Sequence, residues 1–313
     1  MTNYPESEVL AEVLRSEIVE SHHRGQLVLL NADGTVRLSR GNPEKLVYPR
    51  SSIKSVQAAA MVRAGLHLEP RLLALVASSH SGSAMHQNAA LEILALGGLN
   101  ESALLNAKDR PLGDEERRDW GSKPPTSLAQ NCSGKHAGML LTCVINNWPT
   151  HDYLDPQHPL QVLCREELEN LAHETVSLTS VDGCGAPLFL ISLLGLAKAI
   201  HEITISKDPV HESVLQSCRD FPAIVAGSGR LTTRKMSEVP GLFMKEGAEG
   251  VNVGSLPDGR AFAYKIEDGS SRPLGVLVVA ALNEFGVSCP PENVAIYGGN
   301  MVVGEIRARL RDR

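Results

Sequence analysis

The sequence is poor in aromatic residues and has no surplus of positive charge. Only five Phe, five Tyr and two Trp occur among 313 residues, so aromatic platforms for stacking bases are not expected. The 36 acidic residues outnumber the 30 Lys and Arg residues, which gives a formal net charge of -6. Because nucleic-acid binding needs a basic surface, we expect no nucleic-acid partner.

Long apolar runs are also missing. The longest, residues 187–200, is shorter than the roughly 20 residues that a membrane-spanning helix needs. The N-terminal stretch is acidic, and it lacks the basic segment and apolar run of a signal peptide. The sequence therefore predicts a cytoplasmic protein that does not contact a membrane.

The six cysteines are too few for a disulfide scaffold in a chain of this length. No two of them are spaced as C-x-x-C, so zinc-knuckle and thioredoxin-like motifs are absent. We expect reduced thiols that are mostly buried.

Strand signals lie near both ends of the chain. Residues 26–30 and 36–38 are apolar runs on either side of Asp33-Gly34, which is a strong hairpin signal. Towards the C-terminus, residues 251–253 and 261–266 flank a second Asp-Gly turn, and Pro273 suits the first turn of a helix over 273–282. Strands from both ends can pair only if they share one sheet.

The middle of the chain is predicted to be helical, over residues 51–65, 72–77, 87–96, 134–147 and 187–203. The Pro-rich stretch 148–159 is predicted to be an exposed loop. The fold class is therefore α+β, with a mixed or antiparallel sheet of N- and C-terminal strands beside a helical region. We expect a single catalytic domain over residues 1–313, with its sheet part at about 1–50 and 220–313 and its helical part at about 51–219.

A serine and a lysine lie three residues apart in Ser51-Ser52-Ile53-Lys54. Residues at this spacing share one face of a helix, and a buried neutral lysine can activate a serine hydroxyl. The alternative is a serine N-cap followed by a solvated lysine. The apolar helix that follows favours a buried first turn.

Three further segments carry polar side chains at turns or helix ends. Residues 78–82 place Ser79, His80 and Ser81 after an apolar helix, although a simple serine-rich turn explains the same pattern. Residues 131–136 precede a helix, whose free amides favour a carboxylate. Residues 182–187 hold a cysteine between glycines, which allow a ligand to approach closely.

Lys265 lies on a strand whose side chains alternate in direction. It is either an exposed edge residue or a second buried cation that faces the helix beginning at Ser51. The sequence patterns alone leave both alternatives open.

Taken in order, these five motifs resemble the rhizobial-type (thermolabile, class 3) L-asparaginase II family, from about residue 20 to the C-terminal helix. The resemblance implies a fold like that of serine β-lactamases and glutaminases. It implies hydrolysis of L-asparagine, a small-molecule substrate, to L-aspartate and ammonia, and a homodimer. Two Ser–Lys pairs are implied, Ser51 with Lys54 and Ser79 with Lys265, with Ser81 as an alternative to Ser79. A zinc ion is implied on Cys132, Lys135 and Cys184.

On this basis we expect Ser51 to attack the amide while neutral Lys54 takes its proton. Ser79 and Lys265 would relay protons or position water. The expected substrate-binding residues are Arg50, His80, His136 and Asp182. Three alternatives stay open: a glutaminase, a serine hydrolase of the penicillin-binding type, and a non-catalytic protein that binds zinc or an amino acid.

Overall fold

The computed structural model describes residues 5–311, and two antiparallel sheets organise this part of the chain. Its strands are β1 (Glu8–Arg15), β2 (Ile18–Leu30), β3 (Val36–Arg40), β4 (Leu46–Val47), β5 (Leu178–Val181), β6 (Pro187–Ser192), β7 (Phe243–Gly247), β8 (Val251–Ser255), β9 (Ala261–Ile266), β10 (Ala295–Gly298) and β11 (Met301–Ala308). The larger sheet has eight strands in the order β10-β11-β1-β2-β9-β8-β7, with β3 also paired to β2. The smaller sheet has the order β4-β6-β5.

Most helices come from the middle of the chain. They are α1 (Lys54–Arg63), α2 (Pro70–Val76), α3 (Ala84–Leu96), α4 (Asp114–Trp120), α5 (Ser133–Ile145), α6 (Pro159–Ala172), α7 (Leu193–Ile205), α8 (Pro209–Asp220), α9 (Pro222–Val225), α10 (Leu231–Glu238) and α11 (Leu274–Glu284). A short 3-10 helix, Arg50–Ile53, leads directly into α1. None of the helices within residues 5–311 has the length and apolar character needed to span a bilayer.

Both ends of the chain contribute to the large sheet, as the sequence predicts. The central pairing joins β2 to β9, with Gln26 opposite Lys265 and Leu29 opposite Phe262. The predicted N-terminal hairpin is also present, since β2 pairs with β3. Within its turn, Asp33 Oδ1 accepts the Thr35 N–H at 3.0 Å. The α+β fold class is confirmed.

Helix α1 is almost completely buried, and this determines where the site forms. Its small side chains, including Ala58, Ala59 and Ala60, let neighbouring helices approach closely. It packs against α5, α6 and α8, while α7 covers one face of β2 and β9. The first turn of α1 is therefore inside the protein rather than on its surface.

The predicted helix over 187–203 is wrong in its first part. Residues Pro187–Ser192 form β6, the middle strand of the small sheet between β4 and β5. Most of its apolar side chains are buried. Helix α7 begins only at Leu193, because Ser192 caps it by accepting the Gly195 N–H at 2.8 Å. A short apolar run does not distinguish a buried strand from a helix.

The stretch 148–159 is a loop, but it is not uniformly exposed. The side chain of Tyr153 is fully buried. Its hydroxyl contacts His136 Nδ1 at 2.8 Å and accepts the Leu105 N–H at 3.1 Å. The loop is thus attached to the helical part of the protein through a buried phenol.

Candidate active site

Two buried lysine amines meet at one serine hydroxyl. Lys54 Nζ, on the first turn of α1, lies 3.1 Å from Ser79 Oγ. Lys245 Nζ, on β7, lies 2.9 Å from the same oxygen. Lys54 and Lys245 are each 1% exposed and Ser79 is 3% exposed. The three groups form a continuous hydrogen-bonded chain, called here the Lys–Ser–Lys relay.

The environment of Lys245 favours its neutral form. Burial lowers the pKa of Lys245 well below its usual range, and the positive charges of Lys54 and Arg230 lower it further. Its amine also contacts the carbonyl oxygen of Glu246 at 2.7 Å. A neutral amine at this position can accept the proton of the Ser79 hydroxyl.

The predicted pairing of Ser79 with Lys265 is wrong. Lys265 Nζ donates to the Glu249 carbonyl at 2.7 Å, and its side chain lines a separate cavity with Lys45 and Glu267. The cause is strand position, because β7 packs against the 3-10 helix that leads into α1, whereas β9 lies between β2 and β8. Lys245 on β7 occupies the place that was predicted for Lys265.

The predicted contact between Ser51 and Lys54 is also not formed. Besides Ser79 Oγ, the amine of Lys54 contacts the Ser78 carbonyl at 2.6 Å and Cys132 Sγ at 3.0 Å. The Ser51 hydroxyl has no hydrogen bond to any residue within 5–311, and it faces the same cavity as Ser79. Residues 50–53 form a 3-10 helix before α1, and the Lys54 amine contacts Ser79 rather than Ser51.

The loop that carries Ser79 is held by its backbone. The Ser79 N–H donates to the Val225 carbonyl at 2.9 Å, and the His80 N–H donates to the Asn131 carbonyl at 3.1 Å. The Ser81 hydroxyl donates to the Ala226 carbonyl at 3.1 Å, so it does not take part in the relay. Ser79 rather than Ser81 is therefore the serine that contacts both amines.

A cavity of about 300 Å³ opens above the relay. Its lining includes Ser51, Ser79, Asn131, Arg230, Glu246 and Glu249. Arg230 and Glu246 form an ion pair at its wall. A cavity of this size with few convergent polar groups suits a small polar ligand.

The four side chains predicted to bind substrate do not line this cavity. Arg50 Nε donates to Asp182 Oδ1 at 2.6 Å, and this ion pair lies outside the lining of the cavity. His80 and His136 are fully buried, and they contact Ser133 Oγ at 2.9 Å and the Tyr153 hydroxyl at 2.8 Å. Burial lowers the pKa of each histidine well below its usual range, so both are neutral parts of the scaffold.

The predicted metal ligands do lie together beside the relay. Lys135 Nζ is 3.4 Å from Cys184 Sγ, and Cys132 Sγ is within reach of Lys54. The interaction between the two thiols lowers the pKa of Cys184 and raises that of Cys132. The two thiols and the Lys135 amine thus form one buried polar cluster beside Lys54.

Cysteine thiolates are common zinc ligands, so Cys132 and Cys184 fit the predicted ion, whereas Lys135 is not a common ligand type and would have to lose its proton to join them. No group of three or more His, Cys, Asp and Glu side chains in the described range is arranged to hold a metal. All six cysteines are free thiols and five are buried, which agrees with the sequence-based expectation.

Sequence reasoning missed Lys245, Arg230 and Glu246. The sequence does contain a signal that Lys245 is buried, because this lysine directly follows the apolar residues Leu242, Phe243 and Met244. A lysine within such a run has to be buried or to break the strand. Arg230 stands between two elements without a distinctive pattern, and only the fold brings it to Glu246.

A comparison with known protein families gives a match that covers most of the chain. The profile of the family described as "L-asparaginase II" matches residues 11–307. No curated protein matches the chain.

Among solved structures, the chain is similar to one titled "Crystal Structure Analysis of Mglu", with 14% identity and a TM-score of 0.45 over 84% of this chain. The chain spans 66% of the length of that protein. A second is a putative beta-lactamase from Bacteroides dorei DSM 17855, with 14% identity and a TM-score of 0.40, covering 90% of this chain and 94% of that one.

Proposed function

The chain belongs to the L-asparaginase II family, a family of amidohydrolases, and we propose that it hydrolyses the side-chain amide of L-asparagine through an acyl-serine. The observation that carries the mechanism is the Lys–Ser–Lys relay, in which Lys54 and Lys245 both contact Ser79. A hydrolase that forms an acyl-enzyme needs a hydroxyl beside a proton acceptor. The relay supplies the acceptor, and the adjoining cavity has room for an amino-acid amide.

Ser51 is the proposed nucleophile. Its hydroxyl faces the cavity without a hydrogen-bond partner among the described residues. Ser79 is a weaker candidate, since its oxygen is engaged by two amines and its N–H is bound to Val225. The start of the helix at Ser51 also favours the negative charge that develops during attack.

Protons move along the relay in the proposed reaction. With Lys245 neutral, Lys54 donates to Ser79 Oγ while the Ser79 hydroxyl donates to Lys245 Nζ. A shift of one proton along this chain leaves Lys54 neutral. The Ser51 side chain, which makes no hydrogen bond in this structure, then has to turn towards the Lys54 amine, which takes its proton as Ser51 attacks the amide carbon. The proton returns to the leaving nitrogen, ammonia departs, and a water molecule hydrolyses the acyl-serine by the same route.

Cys132, Lys135 and Cys184 would hold the zinc ion that the resemblance implies. When bound, such an ion would order the wall of the pocket next to Lys54. The zinc ion, the homodimer and the cytoplasmic location stay predictions.

Ammonia release is the direct test of the proposed function. We expect the purified protein to release ammonia from L-asparagine, and more slowly from L-glutamine, since one extra methylene changes binding by about 1–3 kcal/mol. The measurement is a coupled ammonia assay with both amides. A parallel incubation with a penicillin, followed by mass spectrometry, detects stable acylation.

The outcomes separate the alternatives. Faster turnover of L-glutamine would indicate a glutaminase. A penicilloyl adduct without ammonia release would indicate a serine hydrolase of the penicillin-binding type. Binding of L-asparagine in calorimetry without turnover would indicate a non-catalytic protein.

The pH dependence of kcat/KM provides a second test. As pH falls through the pKa of Lys245, the amine gains a proton and can no longer accept one from Ser79, so activity is lost on the acid side. Because burial, Lys54 and Arg230 all lower this pKa, the acid limb should lie well below the usual lysine value of about 10.4. A limb centred near that usual value would contradict a neutral Lys245.

A further inference from the structure

An ion pair lines the cavity without a role in the relay. Arg230 Nη2 contacts Glu246 Oε1, and the two side chains are 20% and 18% exposed. Both residues line the cavity that also contains Ser51 and Ser79. Their charges are therefore only partly covered by protein, and they face the space that a substrate would occupy.

Arg230 is fixed by its other contacts. Its Nη1 donates to the Ser79 carbonyl at 2.6 Å and to the Ala226 carbonyl at 3.2 Å. Burial lowers the pKa of Arg230 to about 10, and Glu116 and Asp114 oppose that shift. The guanidinium therefore stays charged at neutral pH and is hydrogen-bonded to the loop of Ser79.

Glu246 has unused hydrogen-bonding capacity. Its Oε1 is paired with Arg230, whereas its Oε2 has no hydrogen-bond partner within the described chain. Glu246 also follows Lys245 directly on β7, and its carbonyl oxygen accepts from the Lys245 amine at 2.7 Å. The carboxylate is thus tied to the strand that carries the proton acceptor.

We propose that Arg230 and Glu246 form the subsite for the α-amino-acid head group, with the α-carboxylate on Arg230 and the α-ammonium on Glu246. The inference rests on the proposed function and assigns the two residues that would recognise the charged head group of the free amino acid. A fixed cation and anion side by side match the two charges of such a head group. Simple acyl amides and peptide-linked asparagine lack one or both of these charges.

The test compares substrates that differ only in the α-ammonium. Succinamic acid is L-asparagine without its α-amino group. We expect wild-type kcat/KM to favour L-asparagine over succinamic acid, and Glu246→Gln to reduce that ratio by about 10- to 100-fold, the range for a lost hydrogen bond to a charged group. Glu246→Asp should recover part of the ratio, because it keeps the charge.

Glu267→Gln is the matched control. Glu267 is an exposed acidic residue that lines the separate cavity of Lys45 and Lys265 rather than the one above the relay. We expect its replacement to change the ratio by less than about threefold. An equal loss with both substrates in Glu246→Gln would overturn the inference, since it would mean that Glu246 only positions Arg230.

A binding measurement keeps this test independent of catalysis. Calorimetry with L-aspartate and with succinate compares the same two head groups without any chemical step. We expect Glu246→Gln to weaken L-aspartate binding selectively. Selective binding without ammonia release would support the subsite and refute the proposed reaction, whereas ammonia release with unchanged selectivity would refute the subsite alone.

Discussion

Replacing Ser51 by alanine is expected to reduce ammonia release from L-asparagine by at least about 10³-fold, which corresponds to roughly 4 kcal/mol of transition-state stabilisation. The reason is that the variant removes the hydroxyl that is proposed to attack the amide and form the acyl-serine. The measurement is single-substrate kinetics on the wild type and Ser51→Ala. Substrate binding should persist, because Ser51 makes no hydrogen bond that the fold depends on.

Ser271→Ala is the control for this variant. Ser271 lines the same cavity but is exposed and lies outside the relay, so its loss should change kcat by less than about threefold. A diazoketone analogue of asparagine should label Ser51 in the wild type, as read by peptide mass. A label on Ser79, or a loss of only a few fold in Ser51→Ala, would contradict the assignment of the nucleophile.

Replacing Lys245 by methionine is expected to lower kcat by about 10²- to 10⁴-fold, the range for removal of a general base. Methionine has a similar length and no charge, so it should fill the buried space next to Ser79. The proton of the relay would then have no acceptor. Thermal unfolding measured in parallel shows whether the variant keeps its fold.

Lys265→Met separates this prediction from a general effect of lysine removal. Lys265 lies on the same sheet, but its amine contacts the Glu249 carbonyl rather than Ser79. Its replacement should leave kcat within about threefold of the wild type. The reverse result, with Lys265 essential and Lys245 dispensable, would restore the pairing that the sequence suggested.

Local patterns predicted the parts of the fold that depend on nearby residues. The β2–β3 hairpin follows from Asp33-Gly34, and the buried start of α1 follows from its alanine-rich sequence. The boundary at Ser192 could not be read from periodicity, because the same apolar run suits a strand and a helix. Its distinguishing feature is the serine cap, which the sequence does contain.

The active site was predictable in its residue types but not in its pairings. Ser79 and Lys54 were both expected in the site, yet their contact joins α1 to a distant loop rather than neighbouring turns. Lys245 and Lys265 are both lysines on C-terminal strands, and only strand order decides which one reaches Ser79. Such tertiary placement depends on the pairing of whole strands, which spacing along the chain does not encode.

The position of β7 at the end of the large sheet has a consequence for how the protein matures. Lys54 and Ser79 come from the N-terminal half, whereas Lys245 belongs to the local meander β7–β8–β9, which joins the rest of the sheet through the pairing of β9 with β2. That pairing joins remote parts of the chain, and such pairings form slowly because long loops must close first. A chain that has formed its helices but not the β2–β9 pairing would lack the relay, so activity should appear only when both ends of the chain share the sheet.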